Sequence, residues 1–74
     1  MARYGMPPEM RQIEYELRDR YGGCLTLADV GRELGIKRHR SISDWLSELT
    51  PLEINGRKKW RAADVARKIY ESRV

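Results

Sequence analysis

The chain has very few of the residues that build covalent or metal-bound sites. Its 74 residues include one cysteine, one histidine and no phenylalanine. A single cysteine, Cys24, cannot form an internal disulfide, so the sequence fits a reducing compartment. With only His39 to join Cys24, a zinc site of familiar ligand spacing is excluded. We therefore expect no bound metal.

Long hydrophobic runs and targeting signals are also missing. No stretch approaches the roughly 18 consecutive apolar residues that a membrane span needs. No charged-then-apolar leader with a cleavage site is recognisable at the start of the sequence. The sequence therefore predicts a cytoplasmic protein rather than an exported or membrane-spanning one.

Catalytic groups are equally hard to find. The sequence has no glycine-rich phosphate-binding loop, and its serines have no His–acid partners at a suggestive spacing. Asp29, Asp44 and Asp64 each lie close to the start of a predicted helix, where capping or the helix dipole explains a carboxylate. We therefore expect neither an enzyme nor a bound cofactor.

The length allows one small domain. A chain of this size buries about 60–65% of the surface that it exposes when unfolded, so its core is small. We expect residues 1–5 to be disordered and residues 6–74 to form a single domain. Helices are predicted over residues 7–21, which begin with two prolines, and over residues 62–73. Both helices are interpreted as supports for the core.

Two short amphipathic helices are predicted between them. The first covers Leu27–Leu34, with Thr26 before it and Asp29 at the spacing of a capping box. Gly35 is expected to end this helix, because glycine adopts a left-handed conformation at low cost. We interpret Gly31 as the position where a neighbouring helix crosses so closely that a side chain beyond a methyl would not fit.

The second amphipathic helix is predicted over residues 41–49. Ser41 and Asp44 repeat the capping spacing, and Pro51 is expected to stop the helix. An inward apolar stripe at helical spacing is formed by Ile42, Trp45, Leu46 and Leu49. Two such helices joined by a turn that opens with glycine match a helix-turn-helix unit.

The segment that follows is predicted to be a β-hairpin, because Asn55-Gly56 between extended runs is a strong hairpin signal. A two-residue loop would pair Leu52 with Lys59 and place Trp60 on the face opposite Leu52. A loop one residue longer would pair Leu52 with Lys58 and place Trp60 on the same face as Leu52. We favour the longer loop because it buries Trp60. It also directs three cations together away from the core: Arg57, Lys59 and Arg61.

The positive charge of the chain is concentrated in one segment. The formal net charge is +4. Residues 1–36 carry −1, residues 37–61 carry +4 and residues 62–74 carry +1. The excess positive charge therefore lies in the helix-helix turn and the hairpin. The hydrophobic pattern predicts these two elements independently of the charge. A basic surface of this kind attracts the phosphate backbone of nucleic acid through counterion release.

Several stretches of the chain resemble excisionase-like and MerR-type winged-helix DNA-binding domains. The residues that carry the resemblance are Leu25 to Ile36, Trp45-Leu46, Ile54 to Arg61 and Asp64-Val65. The resemblance implies a mainly α fold with a small β-hairpin, a winged helix-turn-helix of about four helices plus a wing. It also implies that the second helix enters the major groove and that the wing touches the DNA backbone or the minor groove.

The expected DNA interface combines two groups of residues. In the recognition helix and its turn they are Lys37, Arg38, His39, Arg40, Ser41, Ser43 and Ser47. In the wing they are Asn55, Gly56, Arg57, Lys58, Lys59 and Arg61. Arg38 and Arg40 are expected to fork onto guanine or to clamp phosphate, and the wing cations to bind phosphate or to enter the minor groove. Asp44 is either a helix cap, the preferred interpretation, or an acceptor for a cytosine amino group.

The sequence favours double-stranded DNA as the partner. The four tyrosines are not interleaved with the basic runs, which argues against a base-stacking surface for single strands or RNA. We expect an excisionase-like recombination directionality factor or a small transcriptional regulator, acting with an integrase or with further copies of itself. The alternative is a winged-helix module that docks on an acidic protein.

Overall fold

The computed structural model describes residues 7–72 as four helices and three short strands. In chain order they are α1 (Pro8–Tyr21), β1 (Cys24–Leu25), α2 (Leu27–Leu34), α3 (His39–Leu46), β2 (Leu52–Ile54), β3 (Arg57–Arg61) and α4 (Ala62–Glu71). The predicted fold class is confirmed, since a mainly helical chain with a small antiparallel sheet is compatible with a winged helix-turn-helix. The predicted disorder of residues 1–5 and the predicted end of the last helix at Arg73 lie outside the described residues.

Helix α2 has the ends that its sequence predicts. The Thr26 side chain accepts from the Asp29 backbone amide at 3.1 Å, and the Asp29 carboxylate accepts from the Thr26 amide at 3.1 Å. Gly35 follows the helix in the left-handed conformation, with φ 73° and ψ 22°. The Ile36 amide then donates to the Gly31 carbonyl at 2.9 Å, which closes the helix end and turns the chain back toward the core.

Helix α3 differs from the prediction at both ends. It begins two residues earlier, at His39, with Arg38 as the N-cap and no side-chain cap. Ser41 and Asp44 therefore lie within the helix, so the predicted capping pair and the capping interpretation of Asp44 are wrong. The helix ends at Leu46, well before Pro51, because the chain tightens into a turn in which the Ser47 amide donates to the Asp44 carbonyl.

The sheet corrects the predicted hairpin register and adds a strand. Leu52 pairs with Lys59 and Ile54 with Arg57, so the loop is the two-residue Asn55-Gly56 turn and not the longer loop that we favoured. Both turn residues have positive φ, 54° and 76°, as a type I′ turn requires. The third strand, β1, was not predicted. It pairs with the other edge of β3, where Leu25 lies opposite Trp60.

Trp60 is nevertheless buried, because β1 and the helices cover it rather than β2. Its side chain is 6% exposed, and Leu25 opposite it is fully buried. The core cluster consists of Leu17, Leu25, Val30, Ile42, Leu46, Trp60, Ala62, Val65 and Ala66. Trp45 and Leu49, predicted to face inward, are half-buried and pack against this cluster. Helix α1 lies mainly against α4, so both terminal helices support the core as expected.

The close approach at Gly31 is confirmed and is tighter than we predicted. A methyl group at this position would stand 2.9 Å from the Ile36 carbonyl oxygen and would overlap the side chain of Ile42 from α3. Even alanine therefore does not fit without a shift of the backbone or of α3. The absence of a side chain at Gly31 allows α2 and α3 to pack closely at this point.

We predict that Gly31→Ala destabilises the domain by about 1–2 kcal/mol, because overpacking outweighs the better helix propensity of alanine. The measurement is the free energy of unfolding in urea. Gly23→Ala is the matched control, since no atom lies within 4 Å of the added methyl group. The control is expected to change stability by no more than about 0.5 kcal/mol. A Gly31→Ala variant more stable than wild type would contradict the tight crossing.

Candidate nucleic-acid interface

The first basic segment straddles the start of α3. Lys37 lies in the turn, Arg38 is the N-cap residue with extended backbone, and His39 and Arg40 form the first turn of the helix. All four side chains are exposed. No side chain caps the first-turn amides of α3. Free amides and the positive end of the helix dipole add to the cationic side chains, so this end of α3 attracts phosphate oxygens.

The three serines predicted to contact DNA differ in their position and exposure on α3. Ser43 is exposed near the middle of α3, whereas Ser41 is only partly exposed. Ser47 is the C-cap residue, and its hydroxyl donates to the Asp44 carbonyl at 2.7 Å. Ser47 therefore lies at the far end of α3 from the basic turn.

Asp44 lies on the exposed surface of α3 rather than at its cap. It is exposed, and it follows Arg40 by one helical turn, so the two side chains lie on the same face of α3. The exposed surface of α3 thus offers the imidazole of His39, the guanidinium of Arg40, the hydroxyl of Ser43 and the carboxylate of Asp44. Of the two interpretations that the sequence allows for Asp44, an acceptor for a cytosine amino group is the one that stays a prediction.

The second basic segment is the wing, formed by β2, the Asn55-Gly56 turn and β3. Side chains alternate along β3, so Arg57, Lys59 and Arg61 share the face opposite Trp60, as predicted. Lys58 lies on the other face, across from Glu53 of β2. Arg57, Lys58 and Arg61 are exposed, and Lys59 is half-buried. The turn residues Asn55 and Gly56 are exposed at the tip.

The two basic segments differ from the rest of the surface in their ion pairing. Elsewhere in residues 7–72, five of the six lysines and arginines form ion pairs: Arg18 with Glu14, Arg20 with Glu33, Arg32 with Asp29, Arg67 with Asp64 and Lys68 with Glu48. The sixth is Arg11 on α1. Within residues 37–61 no lysine or arginine has an ion-pair partner among the described residues. Those cations are Lys37, Arg38, Arg40, Arg57, Lys58, Lys59 and Arg61. The positive charge that is available to an external anion is therefore concentrated in the two nominated segments.

Both basic segments are attached to the same helix. Helix α2 packs against α3 and also against β1 and β3 of the sheet. From the sequence this arrangement is only implied by the resemblance, whereas the structure shows that α2 contacts both α3 and the strand β3 of the wing. The turn and the wing remain separate elements, and their cations do not form a single cluster along the chain.

Two further groups of charged residues join helices and turns of the fold to one another. The Glu33 carboxylate accepts from Arg20 and, at 3.1 Å, from the Tyr21 hydroxyl, which joins the end of α1 to α2. Partial burial and the bond to Glu33 raise the pKa of Tyr21. Lys68 donates to Glu48 at 2.7 Å and lies over the Trp45 ring. The bond to Lys68 lowers the pKa of Glu48. These groups therefore make contacts within the fold.

No protein-family model, curated protein or solved structure was found to match this chain. Within residues 7–72, no helix is both long and apolar enough to cross a membrane. The same residues contain no cluster of three or more His, Cys, Asp or Glu side chains placed to hold a metal ion.

Proposed function

We propose that this protein binds double-stranded DNA in a sequence-specific manner through α3 and the wing. The observation that carries the proposal is the distribution of cations without ion-pair partners: among residues 7–72, seven of the eight lie in the turn and start of α3 and in the wing, and the eighth is Arg11. Cations left without acidic neighbours are available to replace the counterions of a phosphate backbone. Their attachment to a helix-turn-helix and a hairpin favours duplex DNA over other polyanions.

Each element has a separate role in the proposed complex. The start of α3 enters the major groove, where Arg40 is placed to donate two bonds to a guanine. Asp44, one turn later, is placed to accept from a cytosine amino group. Arg38 and Lys37 bind phosphate at the edge of the groove, and the wing cations bind phosphate on the neighbouring part of the duplex.

The biological role that we propose is that of a small excisionase-like recombination directionality factor or a transcriptional regulator in the cytoplasm. This role rests on the resemblance to excisionase-like and MerR-type domains, and both activities require only DNA binding and bending. An integrase or further copies of this chain on DNA are the expected partners. Integrase-dependent excision measured with and without the protein separates the two roles, since a regulator alone would leave excision unchanged.

We predict different effects for Arg40→Ala and Lys59→Ala. Arg40→Ala removes a base contact. It is therefore expected to weaken binding to the cognate duplex by about 1–3 kcal/mol more than binding to random DNA. Loss of a phosphate contact in Lys59→Ala is expected to weaken both duplexes equally. The measurement is a fluorescence-anisotropy titration at one fixed salt concentration, with a cognate duplex selected from a random library.

Arg18→Ala is the matched control, because it removes the same charge from α1, where Arg18 is paired with Glu14 at 3.6 Å. Its affinity for both duplexes is expected to remain close to wild type. Equal losses on both duplexes for Arg40→Ala would make Arg40 a backbone contact. Absence of duplex binding by the wild type at low salt would reject the proposal in favour of an acidic protein partner.

A further inference from the structure

The outer face of the wing carries two exposed aliphatic side chains. Leu52 is 39% exposed and Ile54 is 40% exposed. Together with Tyr15, they are the exposed large hydrophobic residues among residues 7–72. Leu52 pairs directly with Lys59, which is the neighbour of Trp60 in β3, so both aliphatic side chains lie on the face away from Trp60 and the core. The two-residue turn therefore leaves apolar surface outside the core.

Each aliphatic side chain lies opposite a cation. Ile54 pairs with Arg57 and Leu52 with Lys59, and directly paired residues project from the same face of a sheet. Neither cation has an ion-pair partner among residues 7–72. We define the wing face as Leu52, Ile54, Arg57, Lys59 and Arg61. Its charge complements a polyanion and opposes association with the same face of a second copy.

The free edge of β2 is poorly suited to binding an added strand. The strand has only three residues, Leu52–Ile54, and Pro51 immediately before it has no amide hydrogen to donate. Short edge strands next to proline resist pairing with another chain. A partner is therefore expected to contact the side chains of the wing face rather than the backbone of β2.

We propose that the wing face packs on the sugar-phosphate backbone of DNA, with the cations on phosphates and Leu52 and Ile54 on deoxyribose carbons. This inference rests on the proposed function and adds an apolar component to it. A DNA strand alternates charged phosphates with apolar sugar surface, which matches a row of cations beside a row of aliphatic side chains. Apolar contact does not release counterions, so this part of the affinity is independent of salt.

The test is the double variant Leu52→Thr/Ile54→Thr, because threonine keeps a strand-favouring side chain while removing apolar surface. Duplex affinity is measured at several salt concentrations between about 50 and 200 mM. We expect the variant to bind about tenfold more weakly at every salt concentration. The slope of log affinity against log salt is expected to stay at the wild-type value. Lys59→Ala, in contrast, is expected to reduce the slope by about 1.

Tyr15→Ser is the matched control, since Tyr15 is 66% exposed on α1, outside the wing. It is expected to bind DNA as the wild type does. Thermal melting checks that each variant is folded.

A second measurement needs no variant, because Cys24 lies opposite Arg61 on the same sheet face and is the single cysteine. Duplex DNA is expected to slow alkylation of the Cys24 thiol in the wild type.

The possible outcomes separate the inference from the proposed function. Wild-type affinity in the folded double variant, or an equal loss in Tyr15→Ser, would overturn the inference and leave DNA binding intact. Unchanged alkylation of Cys24 under saturating DNA would also overturn it. If the wild type bound no duplex but bound polyglutamate through Leu52 and Ile54, both proposals would fail and an acidic protein partner would replace DNA.

Discussion

DNA affinity is expected to fall about 100- to 1,000-fold between about 50 and 200 mM salt. The turn before α3 and the wing together present seven cations without partners among residues 7–72, and we expect about 4–6 of them to contact phosphate. Each contact contributes a slope near −0.9 to the plot of log affinity against log salt, because each releases condensed counterions from duplex DNA. The measurement is a salt series with one duplex of fixed length.

Variants test which cations produce the slope of log affinity against log salt. Arg57→Ala/Lys59→Ala is expected to reduce its magnitude by about 2, and Arg18→Ala is expected to leave it unchanged. Arg18 is paired with Glu14, whereas Arg57 and Lys59 have no ion-pair partner among residues 7–72. A flat salt dependence in the wild type would remove the phosphate-contact mechanism. An equal reduction in Arg18→Ala would show that net charge, and not the position of the cations, controls binding.

Trp60→Ala is expected to destabilise the domain by about 3–5 kcal/mol, the range for truncating a buried tryptophan. Trp60 is 6% exposed, lies opposite Leu25 and belongs to the main core cluster. A small domain has only about 5–15 kcal/mol of total stability, so much of the chain is expected to be unfolded at 37 °C. The measurement is urea unfolding followed by far-ultraviolet circular dichroism, which does not depend on the deleted chromophore.

Two matched variants test the cause of this loss. Trp60→Phe keeps an aromatic ring and removes an indole N–H that has no hydrogen-bond partner among the described residues, so its cost is expected to stay below about 1.5 kcal/mol. Trp45→Ala is expected to cost less than Trp60→Ala, because Trp45 is half-buried beneath Lys68. Equal losses for Trp45→Ala and Trp60→Ala would contradict the difference in burial as the cause of the different losses.

Local chemistry is sufficient to predict several elements of this fold. The Thr26–Asp29 capping box and the left-handed Gly35 define α2, because both signals act within a few residues of the helix ends. The position of the hairpin turn follows from Asn55-Gly56 for the same reason. Alternation along β3 also predicts that Arg57, Lys59 and Arg61 share a face. The segments proposed to contact DNA were therefore predictable from the sequence.

The errors arose where distant contacts decide the structure. The longer hairpin loop is favoured from the sequence because it places Trp60 on the same face as Leu52 and groups three cations on the other face, whereas in the structure β1 and the helices bury Trp60 with the shorter loop. β1 has only two residues, and its pairing with β3 joins segments about 35 positions apart in the sequence. Such a strand has no periodic pattern of its own. The favoured type I′ turn then sets the register, and Leu52 and Ile54 are left on the outer face.

The sequence alone determined the helix-turn-helix core, the place of the turn and the concentration of positive charge in residues 37–61. Capping, glycine conformation and charge are properties of residues and their near neighbours. Only the tertiary structure decided the start of α3, the strand register, the burial of Trp60 and the exposure of Leu52 and Ile54. Each of these depends on contacts between segments that are distant in the sequence. Such contacts exist only when the helices and strands pack together around the small core.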